Sequence, residues 1–319
     1  MKNSKCLYCY DEIEDDSIDY HPKCSQIFFG IHPAPILEYS LNDIANLGEQ
    51  IIHSLVTIPG VQQKISLGIN KRKALQVSKP TIMGLWGEYI LKPPSSEYES
   101  LPENESLTMK LANLFNIETV PNSLIKLKSG ELAYITKRID RHKKSKLPME
   151  DMAQLCNRLT SEKYLGSLEH IGKAIMKYSS NPGLDVIKFF EINLFSFITG
   201  NSDMHLKNFS IIYKDKLYLL APAYDLISTR LVISEKLDSE EFALTMNGKK
   251  SRFKLEDFIT FSEYLNIPNK AIDNIFNKFR NEIVQSQNLI RNSFLIAEFK
   301  EKYIELITSR AIRLDLYPF

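Results

Sequence analysis

The chain has 319 residues, of which 44% are hydrophobic and 25% charged, and its formal net charge is +1. That length holds one large domain or two modest ones, and so small a net charge excludes a nucleic-acid-coating or membrane-surface protein. No apolar run approaches the roughly 20 residues of a membrane span, and MKNSKCLYCYDEIEDD turns acidic where a signal peptide turns apolar, so no membrane association and a cytoplasmic location are expected.

In chain order, residues 1–48 read as a short Cys/His segment followed by a polar connector. Three of the four cysteines lie here, too few for a disulfide scaffold. Cys6-x2-Cys9-x11-His21-x2-Cys24 has ligand types and spacing suited to tetrahedral zinc. The alternative is three reduced cysteines and a surface histidine. Residues 49–148 read as a β-rich lobe. Lys64–Ile69 alternates as a half-buried strand does, and Tyr89–Lys92 is a second strand stopped by Pro93-Pro94. A helix is expected over 103–116, with Leu107, Leu111, Leu114 and Phe115 on one face. Strands near 119–127 and 131–138 follow, turned at Ser129-Gly130.

From about 149 to 319 the pattern is helical, and Cys156 is expected in a helix core. Residues 185–199 are apolar nearly all round, as in a buried helix, and Gly200 ends it. A strand pair at 209–213 and 217–220 precedes amphipathic helices over 254–319. The expected fold class is α+β: a small β-rich lobe, then a larger helical one, with a nucleotide site expected between them.

The strongest chemical signal is GNSDMHLKNF at 200–209. Asp203, four residues, then Asn208 is the spacing of a kinase catalytic loop, where the Asp accepts the substrate hydroxyl proton and the Asn holds magnesium. The alternative is a polar loop using both as turn residues. Asp225 follows 17 positions later, past the strand pair, where a kinase carries its second metal-binding carboxylate. In the β-rich half, Pro59, Gly60, Val61, Gln62, Gln63 and Lys64 form a loop with one glycine, able to cover phosphates through backbone N–H groups or to serve as a plain hairpin. Lys92 ends a strand and Glu105 lies 13 residues on, in the first turn of the next helix. That is the arrangement of a phosphate-bridging lysine and its partner glutamate.

These runs carry a resemblance. GNSDMHLKNFS followed by LAPAYDLIS resembles the signature of the HipA-like serine/threonine kinase toxins. ILKPP with its following ENE, PGVQQK and ITKRIDR match the same family in the same order, over nearly everything beyond residue 50. In length the chain is similar to the short HipT-type members, which lack an extra N-terminal subdomain. The resemblance implies a two-lobed kinase fold using ATP and Mg²⁺. It implies that Asp203 is the catalytic base and that Asn208 and Asp225 hold Mg²⁺. Lys92 then contacts phosphates, and Pro59 to Lys64 cover them. His205, Lys207 and Tyr224 fall among the nucleotide-binding positions, and Lys137, Arg138 and Ile139 form the adenine hinge. It further implies a protein substrate, an aminoacyl-tRNA synthetase, whose phosphorylation stops translation. The implied partners are a HipB-like DNA-binding antitoxin and a small HipS-like subunit, with no direct nucleic-acid binding by this chain.

Two features depart from the family pattern. Thr57 stands at the family's autophosphorylated serine, with Ser54 as its rival, and Pro59 replaces a second serine found in some short members. The Cys/His segment is the other departure. A pseudokinase binding module and a small-molecule kinase are the competing readings. ADP formation with and without a protein acceptor separates them.

Overall fold

The computed structural model describes residues 4–52, 64–69, 74–77, 87–142 and 145–317. Ile65 and Leu67 are buried while Ser66 and Gly68 are half-buried, the period-2 pattern that seats a strand with one face on a core. This strand belongs to a six-stranded sheet. In chain order its strands are Ile36–Leu37 (β1), Ile65–Ile69 (β2), Ala74–Val77 (β3), Tyr89–Lys92 (β4), Asn122–Lys126 (β5) and Leu132–Lys137 (β6). Their spatial order is β1-β3-β2-β4-β6-β5, antiparallel except for β1 and β3. Register is fixed by pairs such as Ile65 with Leu91 and Leu91 with Ile135, all of them buried.

The expected connector before β2 carries structure. Helices Pro22–Phe29 (α1) and Leu41–Ile52 (α2) flank β1, and a two-stranded ribbon joins Ser4–Lys5 to Glu12–Ile13. Helix Leu101–Leu114 (α3) begins two residues before the expected start. Pro102 explains this, because a proline is well placed in a first helical turn.

The chain divides into two compact units, residues 1–106 with 120–145, and residues 107–119 with 146–319. The second holds a three-stranded antiparallel sheet of Met149–Asp151 (β7), Ser210–Lys214 (β8) and Leu217–Leu220 (β9). Its helices are Met152–Leu155 (α4), Leu168–Tyr178 (α5), Pro182–Thr199 (α6), Thr229–Val232 (α7), Leu255–Tyr264 (α8), Asn269–Arg291 (α9) and Ala297–Arg313 (α10). Cys156 is the half-buried residue capping α4, not a helix-core residue. The core of this unit is the apolar helix α6. Phe189, Phe190, Phe195 and Phe197 are fully buried there, and Phe197 meets the rings of Phe242, Phe253 and Phe258. Among the described residues, no helix is long and apolar enough to cross a membrane.

Candidate active site

Everything at the catalytic-loop positions depends on where α6 stops. Gly200 adopts φ +72°, the left-handed conformation that glycine takes without penalty. A Cβ there would lie 2.7 Å from Leu306 Cδ2 and 2.9 Å from Arg230 Cβ, so no other residue fits. The Gly200 carbonyl accepts from Thr229 Oγ1 at 3.0 Å and from Arg230 N at 3.1 Å. Ser202 N in turn donates to Thr229 Oγ1 at 2.9 Å. One turn earlier, the buried Arg310 donates to the Phe197 carbonyl at 2.5 Å. Burial pushes its guanidinium down to about 10, which leaves it cationic at neutral pH. The loop therefore leaves a fixed point in a fixed direction.

Asp203 is exposed, and its Oδ1 accepts from the Tyr164 hydroxyl at 2.8 Å. Asn208 is buried. Its Oδ1 accepts from His205 N at 3.2 Å, and its Nδ2 donates to Asp225 Oδ2 at 3.3 Å. His205 is buried with its ring edge-on to Tyr164, centroids 5.2 Å apart. Its Nδ1 is buried without a partner among the described residues. Burial lowers its pKa and Lys163 acts in the same direction, while Asp203 and Asp225 oppose them. The imidazole is therefore neutral at physiological pH.

Asp225 arrives by the hairpin. Asp215 and Lys216 both have positive φ, 51° and 65°, the two-residue turn whose twist matches its strands. The buried Asp185 near the start of α6 accepts from Leu220 N at 2.7 Å and from Ser179 Oγ at 2.6 Å, which ties the end of β9 to that helix. Ala223 N then donates to the Glu118 carbonyl at 2.8 Å. Asp225 itself sits at φ +61°. Asp tolerates this left-handed conformation better than most residues, at a cost of about 1 kcal/mol. In this conformation Asp225 Oδ2 accepts from Asn208 Nδ2. The Tyr224 hydroxyl donates to the Lys207 carbonyl at 2.9 Å, and Lys207 Nζ pairs with Asp151 at 2.6 Å. Thus Asn208 and Asp225 touch, His205 is tied to Asn208 through its backbone N–H, and the Lys207 ammonium is directed to Asp151.

In the other unit, Lys92 Nζ lies 2.5 Å from Glu105 Oε1, with side-chain exposures of 5% and 2%. Glu105 is the fifth residue of α3, in its second turn rather than its first. The N–H groups of Lys137 and Arg138 donate to the carbonyls of Pro121 and Glu88, and the Arg138 guanidinium pairs with Asp140. Lys64 is exposed just before β2. Pro59, Gly60, Val61, Gln62, Gln63, Thr57 and Ser54 lie outside the described residues. Two contacts of the site have no local sequence signal, Tyr164 to Asp203 across 39 positions and Asp151 to Lys207 across 56. Asp151 does show a helix-capping pattern with Gln154, which says nothing of its lysine.

The model of the HipA-like C-terminal domain matches residues 56–287. The chain belongs to the HipA-like C-terminal domain family. It shares 36% identity over 186 residues with Y4dM of Sinorhizobium fredii, a protein provisionally named a kinase, covering 54% of this chain and 45% of that one. A provisionally named kinase of Haemophilus influenzae is 27% identical over 305 residues, covering 86% of this chain and 85% of its own length. This chain thus spans less than half of Y4dM and most of the Haemophilus protein. Among solved structures, it superposes on HipA of Shewanella oneidensis, determined with HipB and its operator DNA, at a TM-score of 0.69 and 21% identity, covering 82% of this chain and 66% of that one. CtkA, a proinflammatory kinase of Helicobacter pylori, gives 0.54 at 16% identity, covering 79% and 94%. The fold is kinase-like.

Proposed function

We propose that this chain is an ATP-dependent protein kinase that phosphorylates serine or threonine. The observation that carries the reading is the meeting of Asn208 with Asp225 one loop away from an exposed Asp203. A carboxylate and a carboxamide oxygen are the hard donors that magnesium takes, and the Nδ1 of His205, buried with no partner among the described residues, is a polar atom left for a ligand. When bound, magnesium offsets the charge on the transferring phosphoryl group. Asp203 takes the proton of the acceptor hydroxyl as its oxygen bonds to the γ-phosphorus, and the bond to the ADP oxygen breaks. An exposed base suits an acceptor carried on a protein. Lys92, held by Glu105, contacts ATP phosphates, and the Pro59 to Lys64 loop covers them. His205, Lys207 and Tyr224 face the nucleotide. The N–H groups of Lys137 and Arg138 are committed within their unit, so adenine contact at the hinge falls to carbonyls and to Ile139.

By its family, the chain is read as the toxin of a HipBA- or HipBST-like toxin–antitoxin pair. Its substrate would be an aminoacyl-tRNA synthetase, and its partners a HipB-like antitoxin and a HipS-like subunit. The test uses labelled ATP, Mg²⁺ and lysate protein with wild type and Asp225→Ala. The wild type is expected to label a protein band in a Mg²⁺-dependent way, and the variant is expected to lose both labelling and tight Mg·ATP binding. Equal Mg²⁺ dependence of ATP binding in the two proteins would remove Asp225 from the metal site, and ADP formation without protein labelling would redirect the activity to a small molecule.

Thr57 is proposed as the autophosphorylation site. A phosphate beside Pro59-Gly60 adds about −1.5 to −2 charges and competes with ATP phosphates for the same donors, lowering activity. Tryptic mapping after incubation with ATP is expected to place the phosphate on Thr57. Phosphate on Ser54 alone, or none within 54–66, refutes it.

A further inference from the structure

The N-terminal segment takes no part in the chemistry proposed above, yet it is built with unusual order. Cys6 N donates to the Asp11 carbonyl and Tyr10 N returns to the Cys6 carbonyl, both at 2.9 Å. Tyr10 takes φ +73° to close this knuckle. Cys6 is fully buried. The second pair comes from the start of α1, with His21 at its N-cap and Cys24 in its first turn.

His21 is oriented by its far nitrogen. Nε2 lies 2.9 Å from the Glu12 carbonyl oxygen, and a carbonyl can only accept. Nε2 therefore carries the proton, and Nδ1 turns its lone pair toward Cys9 Sγ at 3.3 Å and Cys24 Sγ at 3.8 Å. This is the backing contact that metal-binding histidines usually have. The four donor atoms all lie within 4.8 Å of one another. A zinc tetrahedron with Zn–S of about 2.3 Å has edges of about 3.8 Å. None of the three sulfurs is in a disulfide.

We propose that Cys6, Cys9, His21 and Cys24 hold one structural zinc ion, and that it staples the N-terminal segment onto the sheet and helix that carry Lys92 and Glu105. Three thiolates and an imidazole are soft and borderline donors that suit zinc, and four protein ligands leave no open position for catalysis. The stapled segment reaches the structure around that ion pair. The Leu7 carbonyl accepts from Leu124 N at 3.2 Å and Ser123 Oγ at 3.1 Å. The Tyr20 hydroxyl donates to the Leu124 carbonyl. Phe28 meets Tyr89 of β4 edge to face and Phe29 meets it at a tilt, and Lys137 lies over the Phe28 ring. The Tyr10 hydroxyl donates to Ser106 Oγ at 2.8 Å, one residue past Glu105. Releasing the ion unties the knuckle from the start of α1, an eight-residue helix too short to be stable by itself, and so loosens β4 and the start of α3.

The full-length protein, purified without chelator, is the test. About one zinc per chain is expected by elemental analysis, and cobalt(II) in its place should show the visible bands and sulfur-to-metal charge transfer of a tetrahedral thiolate site. Cys9→Ser with Cys24→Ser should lose the metal, whereas Cys156→Ser should keep it. Stripping zinc from the wild type should lower the melting temperature and speed amide exchange at 89–92 and 101–106. Absence of metal, equimolar iron in its place, or a cobalt spectrum without thiolate ligation would overturn the site. Unchanged exchange after stripping would overturn the stapling role. None of these readouts requires ATP, so their failure is separate from failure of the kinase reading.

Discussion

Asp203→Asn is expected to lower phosphoryl transfer by at least about a hundredfold, the scale of a lost general base, while ATP binding persists. The substitution is nearly isosteric. The asparagine oxygen still accepts from the Tyr164 hydroxyl, now at 2.8 Å from Asp203 Oδ1. The loop is held elsewhere, by Thr229 and Arg230 on Gly200 and by Asn208 on His205 N. Folding should therefore be unchanged, and Asp203 is exposed, so little desolvation energy is at stake. What disappears is a group able to take a proton. Because the base acts in the transition state, the loss belongs in kcat rather than in ATP affinity. Initial rates beside calorimetric ATP titration separate the two. Turnover near that of the wild type would remove Asp203 from its role, and lost ATP binding would show that the residue holds the nucleotide.

The parts of this fold legible in the sequence are those with a strong local period. The alternation around Ile65 and Leu67, the short strand at 89–92 and the apolar run ending at Gly200 each name their own element. The boundaries shifted where a single residue dominates. Pro182 and Pro102 start their helices earlier than the apolar pattern does, and α3 stops at Leu114 before Asn116 turns left-handed at φ +58°. Of the helices before residue 53, α1 is only eight residues long and too short to show a clear period, whereas α2 does carry one, with Leu41, Ile44, Leu47 and Ile51 at helical spacing, and the expectation of a polar connector passed over it. In the candidate site, spacing along the chain named Asp203, Asn208 and Asp225. It could not name Tyr164 or Asp151, which meet their partners only through the packing of α5, α6 and the three-stranded sheet. The left-handed backbone at Asp225 is equally invisible in a string of letters, since Asp is compatible with many conformations.

Lys92→Ala is expected to cost about 3–5 kcal/mol of stability, because it takes the ammonium from a carboxylate held away from water. Lys92 and Glu105 are 5% and 2% exposed and 2.5 Å apart, so solvent screening replaces little of what is lost. The ammonium also lies 5.4 Å from the Tyr134 ring centroid, a favourable cation–π contact that the alanine forfeits. A drop in activity alone would therefore say nothing about phosphates, since a weakened fold gives the same result. The double variant Lys92→Met with Glu105→Leu separates the causes. Replacing a buried ion pair by apolar residues of similar volume is often near neutral for stability, so this protein should melt close to the wild type. If Lys92 serves only the fold, the double variant transfers phosphate normally. If the lysine contacts ATP, it stays folded and inactive, with weakened nucleotide binding, which is the outcome expected of a strand-end lysine that a helix glutamate holds in place.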